Sequence, residues 1–180
     1  MQGAMRAEAA GQLTAQQLQA GINAAQDADL PTIMRALTKK GRNLLGKLSH
    51  DEADEHGRTP LWKACYEGHV DAARLLLEKG AEVDREAEDG MTPLYVACAE
   101  GHVAVARLLL AKGADVDRAN KYSATPLYAA CQNGHVDAAR LLLARGADIE
   151  AKTAWNDTSL DIAKREGHKA VVALLEEHQK

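Results

Sequence analysis

The sequence predicts an all-α repeat solenoid, on three observations. A unit of 33 residues recurs, so that Thr59, Thr92, Thr125 and Thr158 stand at equal intervals in the same local sequence. The copies read TPLWKACYEGHVDAARLLLEKGA, TPLYVACAEGHVAVARLLLAKGA, TPLYAACQNGHVDAARLLLARGA and TSLDIAKREGHKAVVALLEEHQK. Each copy carries start and stop signals for two short helices. The chain is 46% apolar, yet Phe is absent and only six residues are aromatic. A core of Leu, Ala and Val suits thin, close-packed helices. Self-similarity at this period implies an array in which each unit buries its apolar face on the next. Function then belongs to an extended surface rather than to a catalytic pocket.

Residues 1–11 are expected to be a flexible N-terminus; they lack the apolar core of a signal sequence. Residues 12–53 read as a degenerate leading repeat that caps the array, plus an inserted loop. Thr14 and Gln17 form a capping-box pattern, and Leu18, Ile22 and Ala25 share one helix face. Leu30, Ile33 and Leu37 then form the inward face of a second helix that Gly41 stops. Eighteen residues separate Gly41 from Thr59, against twelve at each later junction. The excess of six is placed at Arg42 to Lys47, where Leu44, Leu45 and Leu48 would make either a short helix over the core edge or an exposed patch for a partner.

Within a full unit the second copy shows the physics. The Thr92 hydroxyl can accept from an unpaired amide of the first turn. Pro93 follows at the first helical position, where a missing N–H costs nothing. That helix runs through Leu94, Val96, Ala97 and Cys98 to Gly101, which can take the left-handed conformation that ends it. A second helix starts near His102 and Val103, carries Val105, Ala106, Leu108, Leu109 and Leu110, and stops at Gly113. Asp71 and Asp137 fall in the first turns of second helices, and Lys79, Lys112 and Arg145 in the last turns, both matching the helix dipole. In the fourth copy Lys169 and Glu176 replace Val and Leu at positions that would pack on a following unit. Burying unpaired charge is costly, so the array is expected to end within this chain.

The pattern G-x-TPLH-x-A…GH-x…LLL-x-x-GAD-V, matched nearly position by position over residues 54–180, resembles the ankyrin repeat family. The resemblance implies stacked helix-turn-helix ankyrin repeats with β-turn fingers projecting sideways, at 54–86, 87–119, 120–152 and 153–180, the last a C-terminal cap. It also implies that a partner lies along the fingers and first helices, on the concave side. Trp62, Tyr95 and Tyr128 stand where the family has His, so the family's usual His hydrogen bonds are replaced here by ring packing and a different bond.

Because the copies align with one another, positions that change between units separate from those kept for packing. At the turn they include Glu55, His56 and Arg58; Glu88, Asp89 and Met91; Lys121, Tyr122 and Ala124; Trp155 and Asp157. Near the end of the first helix they are Tyr66 and Glu67, Ala99 and Glu100, Gln132 and Asn133, Arg165 and Glu166. By the resemblance these line the partner-binding side; an unconstrained solvated surface would vary in the same way. Tyr66, Tyr122 and Trp155 are aromatic at such positions, and exposed aromatics are common interface anchors. Glu52, Asp54, Glu55, Glu82, Asp84, Glu86, Glu88 and Asp89 make the first two junctions acidic, while Lys121, Lys152 and Arg165 lighten the later end. That polarity fits a partner segment basic at one end and apolar at the other, or simply a solvated face.

Residues 1–50 carry +3 and residues 51–180 carry −7, which argues against non-specific nucleic-acid binding. No apolar run approaches the ~20 residues of a membrane span. Cys65, Cys98 and Cys131 share one repeat position, roughly 8–10 Å apart if their helices pack, too far for a disulfide. His69, His102, His135 and His168 likewise follow the helix-ending Gly, too far apart to share a metal. No GxSxG, phosphate loop, HExxH or paired CxxC is present. No metal or cofactor is expected, and no enzyme. The expected function is a non-catalytic protein–protein interaction module, monomeric and cytoplasmic, with the nucleus as alternative. The competing reading is a regulatory or inhibitory subunit that occludes a target enzyme or transcription factor.

Overall fold

The computed structural model describes residues 53–179. The expected N-terminus 1–11, the leading repeat and the insertion at 42–47 lie outside the described residues, apart from the residue that closes that segment, Ala53. Among the described residues there are eight helices and no strand: α1 Pro60–Tyr66, α2 Val70–Glu78, α3 Pro93–Ala99, α4 Val103–Ala111, α5 Pro126–Gln132, α6 Val136–Leu143, α7 Ser159–Arg165 and α8 Lys169–His178. Each odd helix packs on the even helix that follows it. Odd helices also pack on odd, and even on even, from one unit to the next. The two-layer stack predicted from the period is the structure.

The helix boundaries follow from the caps. Thr59, Thr92, Thr125 and Thr158 have extended backbones, and each hydroxyl accepts from the N–H three residues on. In the last unit, where Ser159 replaces Pro, a capping box takes over: the Asp161 carboxylate accepts from the Thr158 N–H at 2.9 Å. At the other end, the Ala81 N–H donates to the Leu76 carbonyl and the Gly80 N–H to the Leu77 carbonyl, a Schellman closure. The same pair of bonds closes α4 and α6. This tightening ends the helices early, so Lys79 and Lys112 occupy the C-caps and Arg145 lies just beyond its cap, Ala144, rather than in the last turns.

The core is one continuous cluster built from repeat-equivalent positions. Leu61, Leu94 and Leu127 are fully buried on the first helices, and Leu109, Leu142 and Leu175 on the second. Fully burying a Leu is worth about 1.5–3 kcal/mol, so a ladder of them holds successive units together. Cys65, Cys98 and Cys131 are buried and unpaired. Burial pushes the Cys65 and Cys131 thiols up to about 12, and Cys98 higher still.

Histidines join the units at the helix turns. The Nε2 of His102 lies 3.0 Å from the Tyr66 carbonyl oxygen, and that of His168 lies 2.9 Å from the Gln132 carbonyl oxygen. Each ring covers the Gly of the preceding unit so closely that a Cβ on Gly134 would meet His168 Nδ1 at 2.6 Å. A further ladder runs through the loops that follow the second helices, where Asp84 accepts from the Asp115 N–H and Asp117 from the Asp148 N–H. On the outer side of the last unit Lys169 and Glu176 are exposed, and Glu176 pairs with Lys164 at 3.1 Å. That face carries the charge expected of it.

Candidate functional site

Four projecting turns and the first helices build the face of interest. Each turn closes by the same two backbone bonds; in the third, the Asn120 N–H donates to the Ala124 carbonyl and the Ser123 N–H to the Asn120 carbonyl. Closure puts the fourth turn residue at positive φ: Gly57, Gly90, Ser123 (58°) and Asn156 (65°). Side chains brace the loops. Asp54 Oδ1 accepts from the His56 and Arg58 N–H groups, and Asn120 Oδ1 from those of Tyr122 and Ala124. Neighbouring turns are tied by one backbone bond each: Glu88 N–H to the His56 carbonyl, Lys121 N–H to the Asp89 carbonyl, and Ala154 N–H to the Tyr122 carbonyl. The turn tips therefore form a ladder with defined spacing.

Behind that ladder lies a groove of about 490 Å³. Trp62, Tyr95, Val96, Ala87 and Ala129 form its floor, with Met91 and Ala99 half-buried beside them. The structure brings nine of the candidate residues to its walls: His56, Arg58, Tyr66, Glu88, Asp89, Met91, Glu100, Gln132 and Asn133. Glu67, Lys121, Tyr122, Trp155, Asp157 and Arg165 lie outside it. Ala124, one of the changing positions, is buried at 3% exposure and offers nothing to a partner; its N–H is held by Asn120.

The aromatic residues fall into two groups. Trp62 and Tyr66 stack at 5.5 Å with planes 10° apart, and the Arg58 guanidinium sits 5.7 Å from the Trp62 ring centre. Trp62 Nε1–H donates to the Met91 carbonyl at 3.1 Å, a bond from the first unit to the next turn. Tyr122 and Trp155 stack at 5.4 Å on adjacent turns. Tyr66, Tyr122 and Trp155 are 48%, 52% and 64% exposed, the only large apolar side chains left so open among the described residues. Tyr95 and Tyr128 are buried like Trp62, and burial pushes the Tyr95 hydroxyl up to about 12.

The charges are unevenly committed. Asp54 Oδ2 binds Arg58 Nε at 3.0 Å and Lys63 Nζ at 3.1 Å. Burial would raise the Asp54 carboxyl, but the N–H bonds from Arg58 and His56 and the Lys63 ammonium outweigh it and hold it well below the usual range. Glu86 pairs with Arg118 at 2.6 Å, and Arg165 pairs with Asp157. Burial raises the Asp84 and Asp117 carboxyls, against the lowering effect of the N–H bonds each accepts. Among the described residues no cluster of His, Cys, Asp and Glu could hold a metal ion.

Two features of this site escaped the sequence reading. The groove floor combines side chains assigned only to packing, although Trp62 and Tyr66 stand at the i, i+4 spacing that lets helix side chains meet. The capping box of α7 was legible as Thr158-x-x-Asp161.

Residues 21–120 match the family described as ankyrin repeats (3 copies). The chain belongs to the ankyrin repeat family. Residues 109–163 also match the description ankyrin repeats (many copies). A stretch of 41 residues is 46% identical to the Protein fem-1 homolog A-like of Mus musculus, covering 23% of this chain and 6% of that protein. The match is confined to a small part of both. Ankyrin repeats are general protein–protein interaction modules and are generally non-catalytic. No helix among the described residues is long and apolar enough to cross a membrane.

Proposed function

We propose that this ankyrin repeat chain is a non-catalytic module that seats a segment of another protein along its turn tips and first helices. The groove is the centre of that surface and the Tyr122–Trp155 pair a second anchor. One observation carries the reading: nine of the residues that change between otherwise matching units line one groove with an aromatic floor. Packing would favour sameness at those positions. The chemistry of the remaining groups supports it. The three thiols are buried with raised pKa values, opposite to what a nucleophilic cysteine needs. His102 and His168 are tied to backbone carbonyls. A monomer in the cytoplasm or nucleus suits three free thiols, which reducing compartments preserve.

The test uses a photo-crosslinking amino acid placed in the full chain at Tyr66 or Glu100, and separately at Arg107 or Asp137 on the second helices. Crosslinks to a partner protein should form from the first two positions and be lost with Met91→Glu. Crosslinks arising only from Arg107 and Asp137 would put the interface on the opposite side.

A further inference from the structure

We propose that the groove selects a basic partner segment, with an arginine or lysine laid on the Tyr66 ring and held by Glu88, Asp89 and Glu100. Its apolar neighbours then rest on the floor around Met91 and Val96. The inference deepens, and rests on, the assignment of the groove as the partner site.

One permanent cation lines the groove wall, Arg58, with the His56 imidazole beside it. Arg58 is already held by Asp54 at 3.0 Å and lies over Trp62, and Lys63, next to the wall, is held by the same carboxylate oxygen. His56 has Glu55 at 3.8 Å. The acidic wall residues differ: among the described residues no cation lies within 4.0 Å of Glu88, Asp89 or Glu100. Asp89 spends one oxygen on the Met91 N–H, and Glu88 and Glu100 are exposed. The remaining wall, Gln132 and Asn133, is neutral, and Asn133 donates its amide to the Ala129 carbonyl. An occupant of this groove therefore meets uncompensated negative charge above an aromatic face. Arginine and lysine satisfy both features, through ion pairs and through attraction to the ring face. An acidic segment would meet repulsion at the same three positions.

The surface separates this preference from a general acidity of the repeats. Asp54, Glu86 and Asp157 are acidic too, but each is bound to its own Arg, and Asp84 and Asp117 accept backbone N–H groups from the next loop. Among the described residues, Glu88 and Glu100 combine the lack of such a commitment with a place on the groove wall.

A random peptide library displayed on phage and selected against the full chain tests this. The recovered peptides should share an Arg or Lys beside an apolar residue. Binding of the best of them should fall at least tenfold for the double variant Glu88→Gln/Glu100→Gln and weaken with added salt. The charge-matched control Glu78→Gln/Glu177→Gln, on second helices, should leave it unchanged. Recovery of neutral or acidic peptides that are lost with Tyr66→Ala would overturn the charge preference while leaving the groove as the partner site. Peptides insensitive both to Glu88→Gln/Glu100→Gln and to Tyr66→Ala, or no peptides at all, would sink the groove assignment as well. Circular dichroism of each variant keeps misfolding from being mistaken for lost binding.

Discussion

At residue scale, the repeats show one task performed by different side chains. Asp54, Asn120 and Thr153 each offer an oxygen to N–H groups of their own turn, and where Ala87 cannot, Asp89 accepts from Met91 instead. Charge is thus dispensable for shaping the turn, although Asp54 also binds Arg58 and Lys63. Asp54→Asn should keep the turn and lose the ion pairs, costing about 1 kcal/mol at neutral pH. Asp54→Ala should cost about 1 kcal/mol more, since two N–H groups lose their acceptor. The folded Asp54 carboxyl titrates below its ordinary value of 3.8. Its contribution is therefore present above that value and disappears as pH falls from there through the folded value. Urea melts of wild type and Asp54→Asn should converge on acidification through that window; a gap that persists or widens would refute the charge assignment. Ser159 offers the converse case. It stands where Pro93 and Pro126 are fully buried, and among the described residues its buried hydroxyl oxygen has no partner beyond the Cys131 thiol. Thr158 before it is already extended, as a residue preceding Pro must be. Ser159→Pro should stabilise by about 0.4–1 kcal/mol through reduced unfolded-state freedom, read as a raised melting temperature; a lowered one would mean the Asp161 capping box depends on the serine.

At the scale of the element, most of the architecture was legible in the residues. Thr-Pro starts, Gly stops and Leu triplets carry local physics that needs no tertiary context, so all four first-helix starts fall where the caps place them. The joints between units were less legible. His102 and His168 each follow a helix-ending Gly and read as part of their own helix turn, yet each reaches back to the previous unit, a contact spanning 36 residues that spacing alone does not reveal. Glycine substitutions separate the two roles. Gly113, at φ 89°, has open space where a Cβ would go. Gly113→Ala should therefore cost only the strain of a left-handed Ala, about 1–2 kcal/mol. Gly134, at φ 75°, would drive a Cβ into the His168 ring. Gly134→Ala should cost clearly more, by about another 1 kcal/mol or more for the displaced ring and its bond to Gln132. Equal losses in chemical denaturation would show that the histidine joint contributes nothing.

For the molecule as a whole, stability and binding are assigned to different layers. Stability sits between the helices, where Leu109 is fully buried in the second unit. Leu109→Ala should cost ~2–5 kcal/mol, with faster amide exchange in the helices packed on α4, because units of such an array share their interfaces with neighbours. A loss below half a kcal/mol would contradict the stacking register. Binding is assigned to the turn tips and first helices, and here sequence reasoning reached only so far: exposed aromatic positions could be picked out, but not that Tyr122 and Trp155 stack on each other while Tyr66 stacks on Trp62. Stacking matters because it holds the Tyr122 and Trp155 rings as one plate on two turn tips joined by the Ala154–Tyr122 backbone bond. A preorganised plate loses little freedom on binding. Removing one ring frees the other, so single alanine variants should lose most of what the double variant loses. Tyr122→Ala/Trp155→Ala should melt close to wild type, both rings being more than half exposed. It should weaken capture of the partner crosslinked at Tyr66 by at least tenfold, about 1.4 kcal/mol. Undiminished capture by the double variant, measured by titration against that partner, would confine the interface to the groove and leave the paired rings without a share in it.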